Sequence, residues 1–222
     1  MSICQSKRFF STGSKYDHPT SLNLRRRRAL SAITCPGDSL NGANQAHAAS
    51  SCFVAGTRIL MSDGTDRAIE DVKIGDLVIG HGNQLNRVVG LDNARLGARD
   101  LYSINGEKHF VTAEHPFMTA QGWKSVDPAT TRPENARLNV GRLTVGDMAV
   151  KGRMVVPSEP IADGNTLLWS EAEYRVFTEE IFCIDLVDGE PDLALYNFRL
   201  DGNNSYHADN YVVHINGGGE WS

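Results

Sequence analysis

From residue 52 onward, apolar and polar positions alternate in short runs that are cut by turn-forming residues. Arg58-Ile59-Leu60-Met61 leads into Asp63-Gly64, Asp76 to Ile79 follows a glycine, and Asn86 to Val89 forms another run. Leu101 to Ile104 and Lys108 to Val111 flank Asn105-Gly106. That dipeptide suits a two-residue hairpin turn because both of its residues accept positive φ. Ala194 to Leu200 and Tyr211 to Ile215 alternate again, with Asp201-Gly202 opening the turn between them. Period-two alternation over such short spans predicts strands with one buried face. A 3.6-residue period is weak throughout, and Ser170 to Phe177, with Glu171 and Glu173 early, is the best helix candidate. Many short strands with few helices predict an all-β domain.

Two stretches echo each other at an offset of 71 residues: Ile74-Gly75-Asp76-Leu77-Val78-Ile79 and Val145-Gly146-Asp147-Met148-Ala149-Val150. Each is an apolar residue, a Gly-Asp turn and an apolar strand. Gly-Asp turns are common, so duplication and coincidence both remain open at this point.

The first fifty residues lack the alternating texture and are rich in Ser, Asn, Ala and Arg, which predicts a disordered leader over 1–51. Charge divides the chain at the same place. Residues 1–51 carry seven Lys/Arg against Asp17 and Asp38, a net of +5, whereas 52–222 carry 15 basic and 25 acidic residues, a net of −10. The opening, with Arg8, Phe9, Phe10, Ser11, Thr12 and then Arg25 to Arg28, superficially resembles a transit peptide. No apolar core follows the arginines, so an unstructured flank is the preferred reading, and no compartment follows from it. The acidic body argues against nucleic acid as the main partner, since phosphate binding depends on Lys and Arg. No apolar run is long enough to span a bilayer. Cys4, Cys35, Cys52 and Cys183 lie far apart, without the paired spacing of a zinc site or a disulfide framework. The 222 residues, 41% of them hydrophobic, suffice for one substantial domain and a flank.

Candidate chemistry gathers at the junction. Cys52 sits between the basic leader and the β body, where a thiol is expected to be more accessible than in a core. Thr112-Ala113-Glu114-His115-Pro116-Phe117 places a hydroxyl three residues before an imidazole, in a turn tightened by proline, so both side chains can meet at one point. His115 can protonate a leaving amide nitrogen, and Thr112 with nearby N–H groups can stabilise an oxyanion. His109 and His115 lack a third ligand at suitable spacing, and neither a metal nor a cofactor is expected.

Three blocks together resemble the hedgehog/intein (Hint) family. The first is Cys52-Phe53-Val54-Ala55-Gly56-Thr57-Arg58-Ile59, followed by Asp63-Gly64, Ile69-Glu70 and Ile74-Gly75-Asp76-Leu77-Val78. The second is the Thr-x-x-His of Thr112 and His115, with Gly122-Trp123 after it. The third runs from Leu195 through Tyr206, Ala208-Asp209 and Val212-Val213-His214. The blocks stand in the family's order over roughly 52–216, closest in character to bacterial intein-like proteins.

The resemblance implies a compact, horseshoe-like all-β fold with pseudo-twofold symmetry over 52–216, and leaves 217–222 as a short flexible tail. It implies that Cys52 attacks the carbonyl of Ser51 in an N-to-S acyl shift assisted by Thr112 and His115, with His214 and Asn216 as the closing pair. A distorted Ser51–Cys52 peptide storing ~3 kcal/mol would shift the amide–thioester balance on the order of a hundredfold. The substrate is then the chain's own N-terminal flank, the acceptor is water or a small thiol or amine, and a monomer is expected.

Departures from the family pattern limit the outcome. Ile215 separates His214 from Asn216, no Cys, Ser or Thr follows Asn216 directly, and Asn197 and Asn204 stand where many inteins carry Asp and His. N-terminal cleavage or acyl transfer is therefore expected rather than full splicing. Two other readings compete: a degenerate Hint fold serving as a non-catalytic β-structured binding or spacer module, and a Cys-His hydrolase acting on outside substrates through an open cleft.

Overall fold

A computed structural model describes residues 51–108, 110–135, 137–155, 161–163, 166–168 and 172–215. The leader, Asn216 and the tail lie outside the described residues. Among the described residues eighteen strands follow in chain order: β1 (Phe53–Val54), β2 (Arg58–Leu60), β3 (Asp66–Ala68), β4 (Leu77–Ile79), β5 (Leu85–Arg95), β6 (Leu101–Ile104), β7 (Val111–Thr112), β8 (Phe117–Thr119) and β9 (Gly122–Ser125). After the helix α1 (Pro128–Glu134) come β10 (Gly141–Arg142), β11 (Met148–Val155), β12 (Ile161–Asp163), β13 (Thr166–Leu168), β14 (Glu173–Glu180), β15 (Ile184–Val187), β16 (Ala194–Leu200), β17 (Ser205–Ala208) and β18 (Tyr211–His214). The expected all-β architecture is observed.

Among the described residues, one sheet has the order β15-β6-β7-β1-β16-β5-β4. A second runs β10-β9-β8-β11-β18-β17-β2-β3, with β14 added on β11, and β12 and β13 pair as a separate hairpin. The main core draws on both large sheets, with Phe53, Val88 and Phe198 from the first and Ile59, Phe117, Tyr206 and Val213 from the second. A smaller apolar cluster gathers Cys52, Val54, Leu96, Leu101 and Leu195. Burial of this kind contributes roughly 25 cal/mol per Å2 of apolar surface and holds the two sheets together.

The two echoing stretches fold alike, in keeping with the pseudo-twofold symmetry. Gly75 and Gly146 both adopt φ +96°. The Gly75 N–H donates to Val88 O and Val88 N–H to Asp76 O, each at 2.8 Å; Gly146 N–H donates to Ile181 O at 2.8 Å and Ile181 N–H to Asp147 O at 2.7 Å. Each Asp side chain accepts the backbone N–H three residues back, from Lys73 or Thr144, at 2.8 Å. Each also pairs at 2.5 Å with a cation on the preceding hairpin, Arg67 or Lys124. The same donor–acceptor scheme thus stands at both places. Because φ +96° disfavours any residue with a Cβ, Gly75→Ala and Gly146→Ala are each expected to destabilise the fold by at least ~1 kcal/mol. Urea unfolding should give matched losses at the two sites, and a loss at only one would break the equivalence.

Several local expectations change. The span offered as a helix, Ser170 to Phe177, is strand β14 from Glu173 onward, paired along eight positions with β11 from Met148↔Glu180 to Val155↔Glu173. Tyr174, Val176, Phe177 and Thr178 are strand formers, and the ladder outweighs the weak helical spacing. The run at Asn86 extends to eleven residues because β16 pairs along it from Ala194↔Arg95 to Leu200↔Val88. The run at Lys108 contracts to Val111–Thr112. Between Leu200 and Tyr211 the chain forms β17, whose four residues are all buried and so show no alternation, and a hairpin turns at Asp209-Asn210 with φ of 48° and 68°. Helix α1 also escaped the pattern. Its signature is local, an Asp127 side chain accepting the Ala129 N–H with Pro128 at the first turn.

Candidate functional site

Strand register alone assembles the centre of the site. Phe53 pairs with Val111 on β7 and with Tyr196 on β16. One residue before β1, continuing both antiparallel registers places Cys52 between Thr112 on one side and Asn197 on the other. Thr112 N–H donates to Cys52 O at 3.1 Å, which extends the β1–β7 ladder.

The two flanking side chains take opposite ends of the Ser51–Cys52 peptide. Asn197 Nδ2 donates to Ser51 O at 2.5 Å, and Thr112 Oγ1 accepts the Cys52 N–H at 2.9 Å. The orientation of the Asn197 amide is set on its other side, where Oδ1 accepts from Phe198 N at 2.9 Å and from the Tyr206 hydroxyl at 3.2 Å. An amide whose oxygen already meets two donors presents its NH2 to the carbonyl. Thr112 was expected at the oxyanion; it holds the amide nitrogen instead, and the oxygen belongs to Asn197. No peptide bond among the described residues is cis, so Ser51–Cys52 is trans.

His115 follows from the turn that Thr112 begins. Its N–H donates to Thr112 O at 3.2 Å, closing a four-residue turn. The ring lies 4.4 Å from Phe53 and 6.2 Å from both Phe117 and Tyr206, fully buried, with neither nitrogen hydrogen-bonded. Burial, with a smaller contribution from His214, pulls its pKa down to about 3. His214 lies on the adjoining strand: its N–H donates to Pro116 O at 3.0 Å, its Nδ1 donates to Ile215 O at 2.5 Å, and Trp123 packs against its ring.

Cys52 corrects the expectation of an accessible thiol. Both Ser51 and Cys52 are fully buried, because the junction threads between β7 and β16 rather than over the surface. Burial pushes the thiol pKa up to about 11, opposed by the nearby Arg99 guanidinium. A closed junction of this kind does not suit a hydrolase for outside substrates. Arg99, on the loop after β5, carried no sequence signal, and Glu114 was legible only as a filler position of Thr-x-x-His. Asn197 had been marked as a departure from the family pattern, whereas the structure places it on the Ser51 carbonyl. Among the described residues no helix is long and apolar enough to cross a membrane, and no group of three or more His, Cys, Asp or Glu side chains could hold a metal ion.

Comparison with known proteins converges on the same block. Residues 52–120 match the family described as Hom_end-associated Hint, a span that contains Cys52, Thr112 and His115. Two crystal structures of Ssp DnaB mini-intein variants share the fold. One has a TM-score of 0.50 at 15% identity and covers 78% of this chain and 98% of that one; the other has a TM-score of 0.51 at 14% identity and covers 75% and 99%. A 53-residue segment is 40% identical to the catalytic subunit of the V-type proton ATPase from Candida tropicalis. That segment is 24% of this chain, which spans only 5% of the length of that relative. A match to the Hint family over 52–120, opening on Cys52, thus stands beside a fold shared with mini-inteins and a Thr-x-x-His turn folded against the cysteine.

Proposed function

We propose that residues 52–216 cleave their own N-terminal flank, residues 1–51, through an N-to-S acyl shift at Ser51–Cys52. Cys52 Sγ attacks the Ser51 carbonyl carbon, the C–N bond to Cys52 breaks, and a thioester forms between Ser51 and Sγ. The proton lost by sulfur ends on the Cys52 nitrogen, which becomes an amine. Neutral His115 relays that proton; its low pKa of about 3 favours delivery to the nitrogen and opposes uptake from the thiol. Asn197 donates to the oxygen as charge develops on it, and Thr112 fixes the amide nitrogen. Water, or a small thiol or amine, then takes the acyl group and releases the flank. His214, bonded to the Ile215 carbonyl, serves the C-terminal end of the site, where its partner Asn216 lies outside the described residues. The observation that carries this reading is the paired grip on one peptide, Asn197 on its carbonyl and Thr112 on its N–H.

One observation favours the second reading, a Hint fold without chemistry. A buried thiol with a pKa of about 11 leaves about one molecule in ten thousand as thiolate at pH 7. The test is mass spectrometry of the full chain incubated with dithiothreitol or hydroxylamine. Scission between Ser51 and Cys52 is expected, and Asn197→Ala should slow it roughly 10^2–10^3-fold, the usual loss for one oxyanion donor. A full-length chain that survives both nucleophiles at pH 9 establishes the inert module.

A further inference from the structure

One partly buried cation is shared between the nucleophile and a carboxylate. Arg99 Nη1 lies 3.9 Å from Cys52 Sγ and 3.7 Å from Glu114 Oε1. The guanidinium is held in place by backbone carbonyls, with Nε donating to Leu96 O at 3.2 Å and Nη2 to Arg95 O at 2.6 Å. Those carbonyls come from the end of β5 and the loop that follows it, so the cation is positioned by the sheet rather than by its own flexible stem. Glu114 is buried, and its Oε1 has no hydrogen-bond partner. For Oε1 the guanidinium is therefore the main source of charge compensation. The same nitrogen faces two groups, one an anion at rest and the other an anion only once the thiol ionises.

We propose that Arg99 is the counter-charge of the Cys52 thiolate, and that Glu114, by holding the same guanidinium nitrogen, restrains ionisation of the thiol in the resting domain. Both are positioning residues, since neither touches the scissile peptide. The proposal deepens the self-cleavage reading and rests on it for its purpose, but the ionisation itself is measurable in a domain that never cleaves. The equilibrium is Sγ–H to thiolate, with the proton going to water. Other groups facing Cys52 are Asp92, whose charge opposes ionisation, the Tyr206 hydroxyl, and Arg99 and Glu114 already named. Burial raises the Glu114 pKa, against hydrogen bonds and the pull of Arg99. A close opposite charge shifts ionisation by one to three pH units, so loss of Arg99 should matter at least about tenfold.

The experiment is a pH titration of the Cys52 thiolate in the full chain, read by the 13C shift of labelled cysteine Cβ, with Cys52→Ser identifying the signal. Arg99→Met is expected to leave at least about tenfold less thiolate at a fixed pH. Arg99→Lys should recover part of that loss, and the isosteric Glu114→Gln should move the midpoint to lower pH. A midpoint unmoved in Arg99→Lys and Glu114→Gln overturns the proposal, as does a Glu114→Gln midpoint that moves up. If Arg99→Met does not fold, these two variants decide the matter on their own. Should the midpoints move as expected while thiols release no flank, the charge relay stands and the self-cleavage reading falls. Cleavage with unmoved midpoints gives the converse.

Discussion

Cys52→Ala is expected to abolish scission at Ser51–Cys52 entirely, in thiol and in hydroxylamine alike, while the fold survives. In the proposed reaction the sulfur carries the acyl group, so no residual rate should remain above spontaneous hydrolysis of the peptide. The substitution removes one buried atom from the small cluster with Val54, Leu96, Leu101 and Leu195. Such a cavity costs less than the 2–5 kcal/mol typical of a buried Leu→Ala change, roughly 1 kcal/mol. Intact mass after incubation reads the chemistry, and near-UV circular dichroism with urea unfolding reads the fold. Persistent cleavage after Ser51 in the alanine variant would move the nucleophile elsewhere and dissolve the role given to the junction.

His115→Ala carries the second large effect, a fall of roughly 10^2–10^4 in the rate of thiol-induced cleavage, the range for a lost proton carrier. An unchanged rate would remove His115 from the mechanism. The pH dependence separates its role from that of the sulfur. With its pKa pulled down to about 3, His115 is neutral throughout the neutral range, so no inflection near 6.5 is expected in the rate; the rate should instead climb with pH as thiolate grows toward about 11. The same shift bears on stability. The unfolded histidine binds a proton near 6.5 and the folded one only near 3, so the unfolded state holds more protons between those values. Stability contributed by neutral His115 is present above about 6.5 and is lost as pH falls through that window, and His207, lowered to about 4, adds in the same direction. Acid unfolding of His115→Ala should therefore begin at lower pH than in the parent chain, relative to its own stability at pH 7. A transition that starts at the same pH would mean another group controls acid lability.

Those features that depend on neighbours in the chain were legible. Alternation at Arg58 to Leu60, Leu77 to Ile79, Leu101 to Ile104 and Ala194 to Leu200 predicted strands that the fold contains, since a strand's two faces are written every second residue. Asn105-Gly106 turns with φ of 54° and 72°, as its residue types allow. Thr112 and His115 are joined by a turn of four residues, so their common direction could be read from spacing. Where the pattern failed, the cause was a distant partner: β14 is a strand because eight residues of β11 lie beside it, and β17 hides its period by being buried on both faces.

The sequence by itself determined an all-β chain with a repeated Gly-Asp turn, a cysteine at the head of a Hint block, and a hydroxyl and an imidazole one turn apart. Only the tertiary structure decided what surrounds that cysteine. Antiparallel register brings Asn197 to the Ser51 carbonyl across 146 residues of chain, and packing of the loop after β5 brings Arg99 to the sulfur. Burial then raises one pKa to about 11 and lowers another to about 3. The physical reason is the range of the forces: turn chemistry and strand alternation act between residues a few bonds apart. Register, desolvation and charge pairing depend on distances that exist only once both sheets have closed over the junction.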